Sequence, residues 1–318
     1  MIKKFFRDNP VHKKIVPFLD YFFLLRPTYF FNVWIAFLSG MYVVQLSYSR
    51  EEIWGVDISL NSLFLILGLT IFSSGCFINW QLKSNLKFRL QNKISLFDSK
   101  ISIASGKILQ TICIALGTTI VIITDFTLTP ILFLLIFFTT SILSSNDGEN
   151  QLKELMIFSI LLFLSGIVHN FFILAEVFQF QSIKNMIPFL FLIIIISSTH
   201  QISKDKKYQK YLFQHIILTF LCIVTIFLGL LNNDPISATA SITIVPFIFM
   251  LIIRNNEIDQ LRAVRYSILI MCLFILSTYP QFIWYSVFIY FISKYYYWHR
   301  FNFHYPKLVI ENDRNFTK

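Results

Sequence analysis

Two lysine-rich polar stretches are the strongest candidates for a functional site in this sequence. The first carries five basic residues and a single carboxylate: Lys83, Lys87, Arg89, Lys93, Lys100 and Asp98. The second carries four basic residues around one carboxylate: Lys204, Lys206, Lys207, Lys210 and Asp205. Because a lysine ammonium is a compact positive charge, such a cluster can bind a phosphate group directly. The alternative is that these lysines only mark the inner side of a membrane or contact anionic headgroups.

Several polar side chains lie inside apolar stretches. His169 and Asn170 sit together, Glu176 follows about two turns later, and His200 ends another apolar stretch. Ionisable groups within a membrane are costly and usually face the bundle interior or a cavity. His169 and Asn170 therefore form either an acceptor-binding or proton-relay pair, or a hydrogen-bonded contact that fixes helix packing. His200 is either a general base or an interfacial histidine.

The composition requires a membrane environment. The 318 residues are 56% hydrophobic and 14% charged, whereas soluble domains are about 45–50% apolar and about 25% charged. We predict a single integral membrane domain over 1–318, with a basic segment at 1–20 and a polar tail at 299–318. The net charge of +10 then reflects membrane topology and not a nucleic-acid partner.

The apolar stretches predict an all-α bundle of about nine transmembrane helices, since a span needs about 20 apolar residues. The predicted spans are 27–46, 59–79, 105–124, 127–143, 154–175, 186–200, 211–231, 236–253 and 266–293. Pro280 interrupts the last of these. We predict one kinked helix there, because no polar turn separates its halves.

The distribution of loop charges predicts the orientation. The amino-terminal segment is strongly basic, which places it in the cytoplasm. Both lysine-rich stretches follow even-numbered spans and face the same side. Two features fit poorly: the acidic stretch with Asp147 and Glu149, which should lie inside, and the basic tail with Arg300, which should lie outside. We expect a multi-pass protein of a bacterial inner membrane.

Local motifs resemble those of the UbiA superfamily of intramembrane prenyltransferases. Arg26-Pro27 opens the first span, and Asn79 ends the second where the family has the Asn of an NDxxDxxxD motif. Asn92-Lys93 and Ser105-Gly106-Lys107-Ile108 resemble the family's approach to its third helix, and Lys204-Asp205-Lys206-Lys207 resembles the close of its second motif. The resemblance implies nine helices and two cytoplasmic motifs that bind a prenyl diphosphate.

The sequence departs from the family at the metal ligands. The aspartate positions of the first motif hold Trp80, Lys83 and Lys87, and the earlier aspartates of the second fall on Gln201 and Ser198. In the family these aspartates hold Mg²⁺, a hard cation that needs oxygen ligands. A lysine repels the metal and can contact the phosphate in its place. We therefore predict no protein-held metal, although Mg²⁺ bound with the substrate stays open.

The resulting hypothesis is a divergent UbiA-type protein that binds a polyisoprenoid diphosphate or another lipid phosphate. The residues expected to bind it are Arg26, Asn79, Lys83, Lys87, Lys93, Lys204, Asp205 and Lys206. Prenyl transfer to an acceptor is one outcome. The alternative is a non-catalytic lipid-binding or scaffold subunit that kept the fold and lost the Mg²⁺ site. A small-solute transporter is a third interpretation, but neither a broken-helix pair nor an inverted repeat supports it.

Overall fold

The computed structural model describes residues 10–48, 54–90, 102–141, 148–174, 180–201, 208–254 and 257–301. This part of the chain folds into eleven α-helices and two 3₁₀ turns, with no strand. The helices are α1 Pro10–Leu24, α2 Phe30–Tyr48, α3 Leu60–Leu90, α4 Ile103–Thr124, α5 Thr129–Ser141, α6 Gly148–Leu174, α7 Phe180–Gln201, α8 Tyr208–Leu231, α9 Pro235–Arg254, α10 Glu257–Thr278 and α11 Phe282–Phe301. The predicted all-α class is confirmed.

Seven of these helices are long and apolar enough to cross a membrane. The qualifying segments are Phe30–Tyr48, Leu60–Asn79, Ile103–Thr124, Met156–Ile173, Gln181–Thr199, Phe213–Leu231 and Pro235–Arg254. The predicted fourth span corresponds to a shorter apolar helix, Phe126–Phe138. At about 1.5 Å per residue it falls short of a hydrocarbon core about 30 Å thick. The count of nine spans stays a prediction.

The predicted single helix over 266–293 is wrong. α10 ends at Thr278, a turn follows at residues 279–281, and α11 begins at Phe282. Pro280 provides the physical reason, because it has no N–H to donate and disfavours helical geometry in the residue before it. The turn is also anchored by its neighbours. The Tyr279 hydroxyl donates to Gln45 Oε1 at 2.8 Å, and Gln281 donates to Asp57 Oδ1 at 2.6 Å.

The chain divides into two compact units. The first comprises residues 1–31, 67–120 and 282–318, and the second comprises 32–66 and 121–281. α3 begins in the second unit and continues into the first. The prediction of a single membrane domain is not decided by this division.

In the first unit, the end of α11 packs against the end of α1. The Phe23 and Tyr296 rings stack with centroids 3.8 Å apart, and the Tyr296 hydroxyl donates to buried Asp20 at 2.6 Å. α3 and α4 cross closely at Gly117, where an added Cβ would collide with the backbone of Phe72. The carboxyl end of the last helix therefore lies beside the amino-terminal helix.

In the second unit, the core forms around α2, of whose span 78% is buried. Gly40 of α2 and Gly166 of α6 let the two backbones touch, because a Cβ on either would collide with a carbonyl oxygen of the other helix. Such small-residue crossings are common where packing, and not water exclusion, holds helices together. Tyr42, Phe163 and Phe189 fill the adjacent interior with rings in mutual contact.

The outer surface of the helices is apolar. Large hydrophobic side chains are exposed along several of them, including Ile123, Phe133, Phe220, Phe227 and Trp284. In water so much exposed apolar area would drive association. The bundle is therefore an integral membrane protein whose outer face contacts lipid.

Candidate functional site

Arg26 lies at a break between two helices of the first unit. Its backbone adopts the left-handed conformation, with φ 58° and ψ 58°, which costs a non-glycine residue about 1–2 kcal/mol. Pro27 then begins a 3₁₀ turn ending at Tyr29. The Arg26 guanidinium carbon lies 5.7 Å from the centre of the Tyr29 ring. This contact holds the half-buried arginine close to its own backbone.

Asn79 lies within a helix and not at its end. The predicted second span ends at Asn79, whereas α3 continues to Leu90. Positions 79, 83 and 87 follow one another at intervals of four and therefore occupy one face of α3. Two of the predicted lysines, Lys83 and Lys87, thus share a face with Asn79.

The structure brings the Arg26 segment and the Asn79 segment together. Leu24 packs against Ile78 and Leu82 in one buried cluster. Tyr29 follows Arg26 in the sequence, and the centre of its ring lies 5.2 Å from that of Phe77. Residues flanking Arg26 on both sides therefore contact residues flanking Asn79.

The remaining predicted site residues lie outside the described part of the chain. These are Lys93, Lys204, Asp205 and Lys206, and Glu176 lies outside it as well. His200 belongs to α7, but its side chain is not among those described. Among the described residues, no three His, Cys, Asp or Glu side chains gather as metal ligands. The sequence has no carboxylate at the family's motif positions Trp80, Lys83 and Lys87, whereas Mg²⁺ prefers carboxylate ligands.

His169 occupies a second polar site, in the second unit. Its Nδ1 lies 2.6 Å from Asp125 Oδ2, and its Nε2 lies 2.9 Å from Ser62 Oγ. All three residues are almost fully buried. They come from α3, α6 and the link between α4 and α5. The predicted interhelical contact is confirmed for His169, and for Asn170, whose amide donates to the Met41 carbonyl at 2.7 Å.

Asp125 is held by local bonds as well as by His169. Its Oδ1 accepts from the Thr127 backbone N–H at 3.0 Å and from the Thr127 hydroxyl at 2.5 Å. Burial acts to raise the pKa of the Asp125 carboxyl, but the hydrogen bonds from His169 and Thr127 outweigh it and hold the pKa below its ordinary value. The carboxylate form is therefore favoured.

Asp234 behaves differently although it is equally buried. It caps α9 by accepting from the Ile236 backbone N–H at 3.0 Å, and the Tyr42 hydroxyl donates to it at 3.0 Å. Burial dominates here and raises the pKa of Asp234. The hydrogen bond from Tyr42 joins Asp234 at the start of α9 to α2, and none of the described hydrogen bonds to Asp234 comes from a basic side chain.

Sequence reasoning did not single out Ser62, Asp125 or Asp234. Asp125 and Asp234 each carry a local signal, since an aspartate followed by Thr127 or Pro235 is typical of a helix or turn start. Serine at position 62 carries none, because its partner His169 is 107 residues away.

The fold is similar to that of a solved membrane enzyme. A solved structure of digeranylgeranylglyceryl phosphate synthase matches 84% of this chain and 99% of its own length, with a TM-score of 0.54 and 16% sequence identity. That enzyme is a UbiA-superfamily prenyltransferase. The predicted resemblance to this superfamily is thus confirmed at the level of the fold. No protein-family model and no curated protein matches the sequence.

Proposed function

We propose that this chain is a divergent prenyltransferase-like membrane protein that binds a polyisoprenoid diphosphate without a protein-held metal. The observation that carries the proposal is the packing of the Arg26-Pro27 segment against the stretch of α3 around Asn79. That packing puts an arginine beside the helix whose next turns carry Lys83 and Lys87. The likeness in fold to a prenyltransferase supports the same assignment.

Cationic side chains can replace a metal for part of the chemistry. Breaking the bond between the prenyl carbon and the diphosphate oxygen leaves negative charge on the diphosphate. Arginine binds phosphate through a planar fork of donors, and lysine binds it as a point charge. In a site shielded from water such charges stabilise the leaving group more strongly than they do in solution. Lys93, Lys204, Asp205 and Lys206, which lie outside the described residues, stay the other diphosphate-binding residues that the sequence predicts.

The proposal includes an orientation. The amino-terminal segment and both lysine-rich stretches face the cytoplasm, and the membrane is a bacterial inner membrane. The positive-inside bias of the loops supports this placement. The isoprenoid chain would lie among the helices, with its phosphate head at the lysine-rich end.

A binding experiment on lysine variants tests the proposal. Geranylgeranyl diphosphate is titrated into the full-length protein in nanodiscs, and Kd is compared among wild type, Lys83→Gln, Lys87→Gln and the double variant. A charge-assisted hydrogen bond is worth about 1.5–3 kcal/mol, so each substitution should raise Kd by about tenfold or more. Unchanged Kd values would show that the lysines set the membrane orientation and do not bind the diphosphate.

Lys184→Gln is the matched control. The substitution removes the same charge from an exposed position near the start of α7 that is not among the predicted site residues. Its Kd should equal that of wild type. Incubation with an isoprenoid acceptor then separates the two forms of the proposal, because a non-catalytic subunit binds the diphosphate but releases no pyrophosphate.

A further inference from the structure

A chain of four polar side chains runs from the surface of the second unit into its interior. Ser59 Oγ lies 2.8 Å from Ser62 Oγ, which lies 2.9 Å from His169 Nε2, and His169 Nδ1 lies 2.6 Å from Asp125. Ser59 is exposed, whereas the other three are buried. We call these residues, Ser59, Ser62, His169 and Asp125, the serine relay.

The hydrogen bonds of the serine relay can all donate in one direction, from Ser59 towards Asp125. An ionised carboxylate only accepts, so the proton on His169 Nδ1 is assigned to the bond with Asp125. His169 Nε2 is then an acceptor and takes the Ser62 hydroxyl proton. Ser62 Oγ is left to accept from the Ser59 hydroxyl. This order of hydroxyl, imidazole and carboxylate is the one that activates serine nucleophiles.

Helix packing alone does not require such an arrangement. Other ties described in this unit join two side chains without a histidine, as between Asn185 and Ser47 at 3.0 Å, between Tyr279 and Gln45 at 2.8 Å or between Tyr42 and Asp234 at 3.0 Å. The serine relay differs from them because it combines a base with a carboxylate and ends on an exposed hydroxyl.

The surroundings of Ser59 indicate what it would meet. Leu60 and Phe64, on the first turns of α3, are large exposed apolar side chains, and Trp54 is exposed nearby in sequence. Ser59 therefore lies where α3 enters lipid, with a tryptophan at the position typical of the membrane interface. Ester carbonyls of glycerolipids lie at this boundary between headgroups and acyl chains.

We propose that the serine relay is an acyl-transfer site, in which Ser59 attacks the ester of a membrane glycerolipid. Ser59 Oγ bonds to the carbonyl carbon, its proton passes to Ser62 Oγ, and the Ser62 proton passes to His169 Nε2. The bond from that carbon to the glycerol oxygen breaks, and the leaving oxygen takes the proton back through Ser62. Water then cleaves acyl-Ser59 by the same route, so that one ester and one water yield one fatty acid and one alcohol.

Labelling with a fluorophosphonate probe tests this site independently of the proposed prenyl site, none of whose residues it shares. The full-length protein in nanodiscs is treated with the probe, and the modified serine is located by peptide mass spectrometry. Ser59 is expected to carry the label. His169→Gln and Asp125→Asn should slow labelling, the former by about a hundredfold or more, since a general base contributes about 10²–10⁴. Absence of label on Ser59, or labelling unaffected by His169→Gln, overturns the proposal.

The wild-type chain contains its own matched control. At the start of α4, Ser102 Oγ lies 2.8 Å from Ser105 Oγ and 3.0 Å from the Ser105 backbone nitrogen. Ser59 makes the same two contacts with Ser62, at 2.8 Å and 3.1 Å. Ser102 is also exposed, but no histidine contact is described for this pair. Equal labelling of Ser102 and Ser59 would show that an exposed serine at a helix start is enough for labelling. That result would overturn a role for the serine relay even if His169→Gln fails to fold.

Turnover is then measured on dioleoylphosphatidylcholine vesicles and on vesicles of the dialkyl ether analogue. Wild type should release oleate from the ester lipid only. Ser59→Ala leaves the bonds among Ser62, His169 and Asp125 in place and should release none. Release by Ser59→Ala equal to wild type, or no release by wild type, contradicts the assignment.

Discussion

At the residue scale, Arg26 combines a strained backbone with a charged side chain. Strain of this kind persists where surrounding structure holds it, and it is concentrated at functional sites. Here the hydrogen bond from Arg26 N to Phe23 O at 3.1 Å and that from Tyr29 N to Arg26 O at 2.8 Å fix the conformation. The residue is thus positioned by the break between α1 and α2, and not by a helix.

Comparing glycine with alanine at position 26 separates the effect of the backbone conformation on stability from the effect of the side chain on binding. Arg26→Gly and Arg26→Ala both remove the guanidinium, and both should weaken geranylgeranyl diphosphate binding by a similar factor. Only glycine relieves the left-handed strain, so Arg26→Gly should be the more stable of the two by about 1 kcal/mol. Thermal unfolding in detergent measures the difference. Equal stability of the two variants would mean that the left-handed conformation is not retained.

At the element scale, glycine contacts set how closely the helices approach. Gly40 and Gly166 place the backbones of α2 and α6 in contact. This crossing carries His169 and Asn170 on the next turn of α6 towards α3 and α2 respectively. The polar ties of the second unit therefore depend on the close approach of these two helices.

An added methyl group tests the crossing. Gly166→Ala should destabilise the protein by about 2 kcal/mol or more, because its Cβ meets a rigid carbonyl oxygen and the helices must separate. Gly106→Ala is the control, since its Cβ would lie 3.2 Å from the movable methyl end of Leu82. A fluorescence-detected melting curve distinguishes them. A wild-type melting temperature for Gly166→Ala would contradict the close crossing.

The packing of α11 against α1 indicates the side of the carboxyl terminus. The contact of Tyr296 with Asp20 places the end of α11 beside α1. Both termini should then lie on one side of the membrane, which also accounts for the basic tail with Arg300. Reporter fusions at the two ends measure this, and opposite sides would contradict it.

At the scale of the whole molecule, the sequence was sufficient to predict the all-α membrane class but not the contacts between distant residues. Apolar length predicted the long apolar helices, because a membrane span must be long and continuous, but it did not predict the helix Pro10–Leu24 or the division of 266–293 into two helices. The sequence analysis predicted that Pro280 kinks one helix, whereas the helix ends there in a turn. The partners that anchor this turn, Gln45 and Asp57, lie more than 200 residues away. The serine relay was missed for the same reason, because serines are common and only the fold shows which one faces His169.

The central claim of the proposed function is that lysines, and not a protein-held metal, bind the diphosphate. The two lysine-rich stretches together carry nine basic residues and two carboxylates, so the diphosphate itself should be the group that they attract.

The most direct test measures Kd for geranylgeranyl diphosphate on the wild-type protein with Mg²⁺ and with excess chelator. The lysine site predicts binding in both conditions, with Kd values that agree within a few-fold, and weakening as salt increases. Binding that requires Mg²⁺ and is abolished by the chelator would contradict the account.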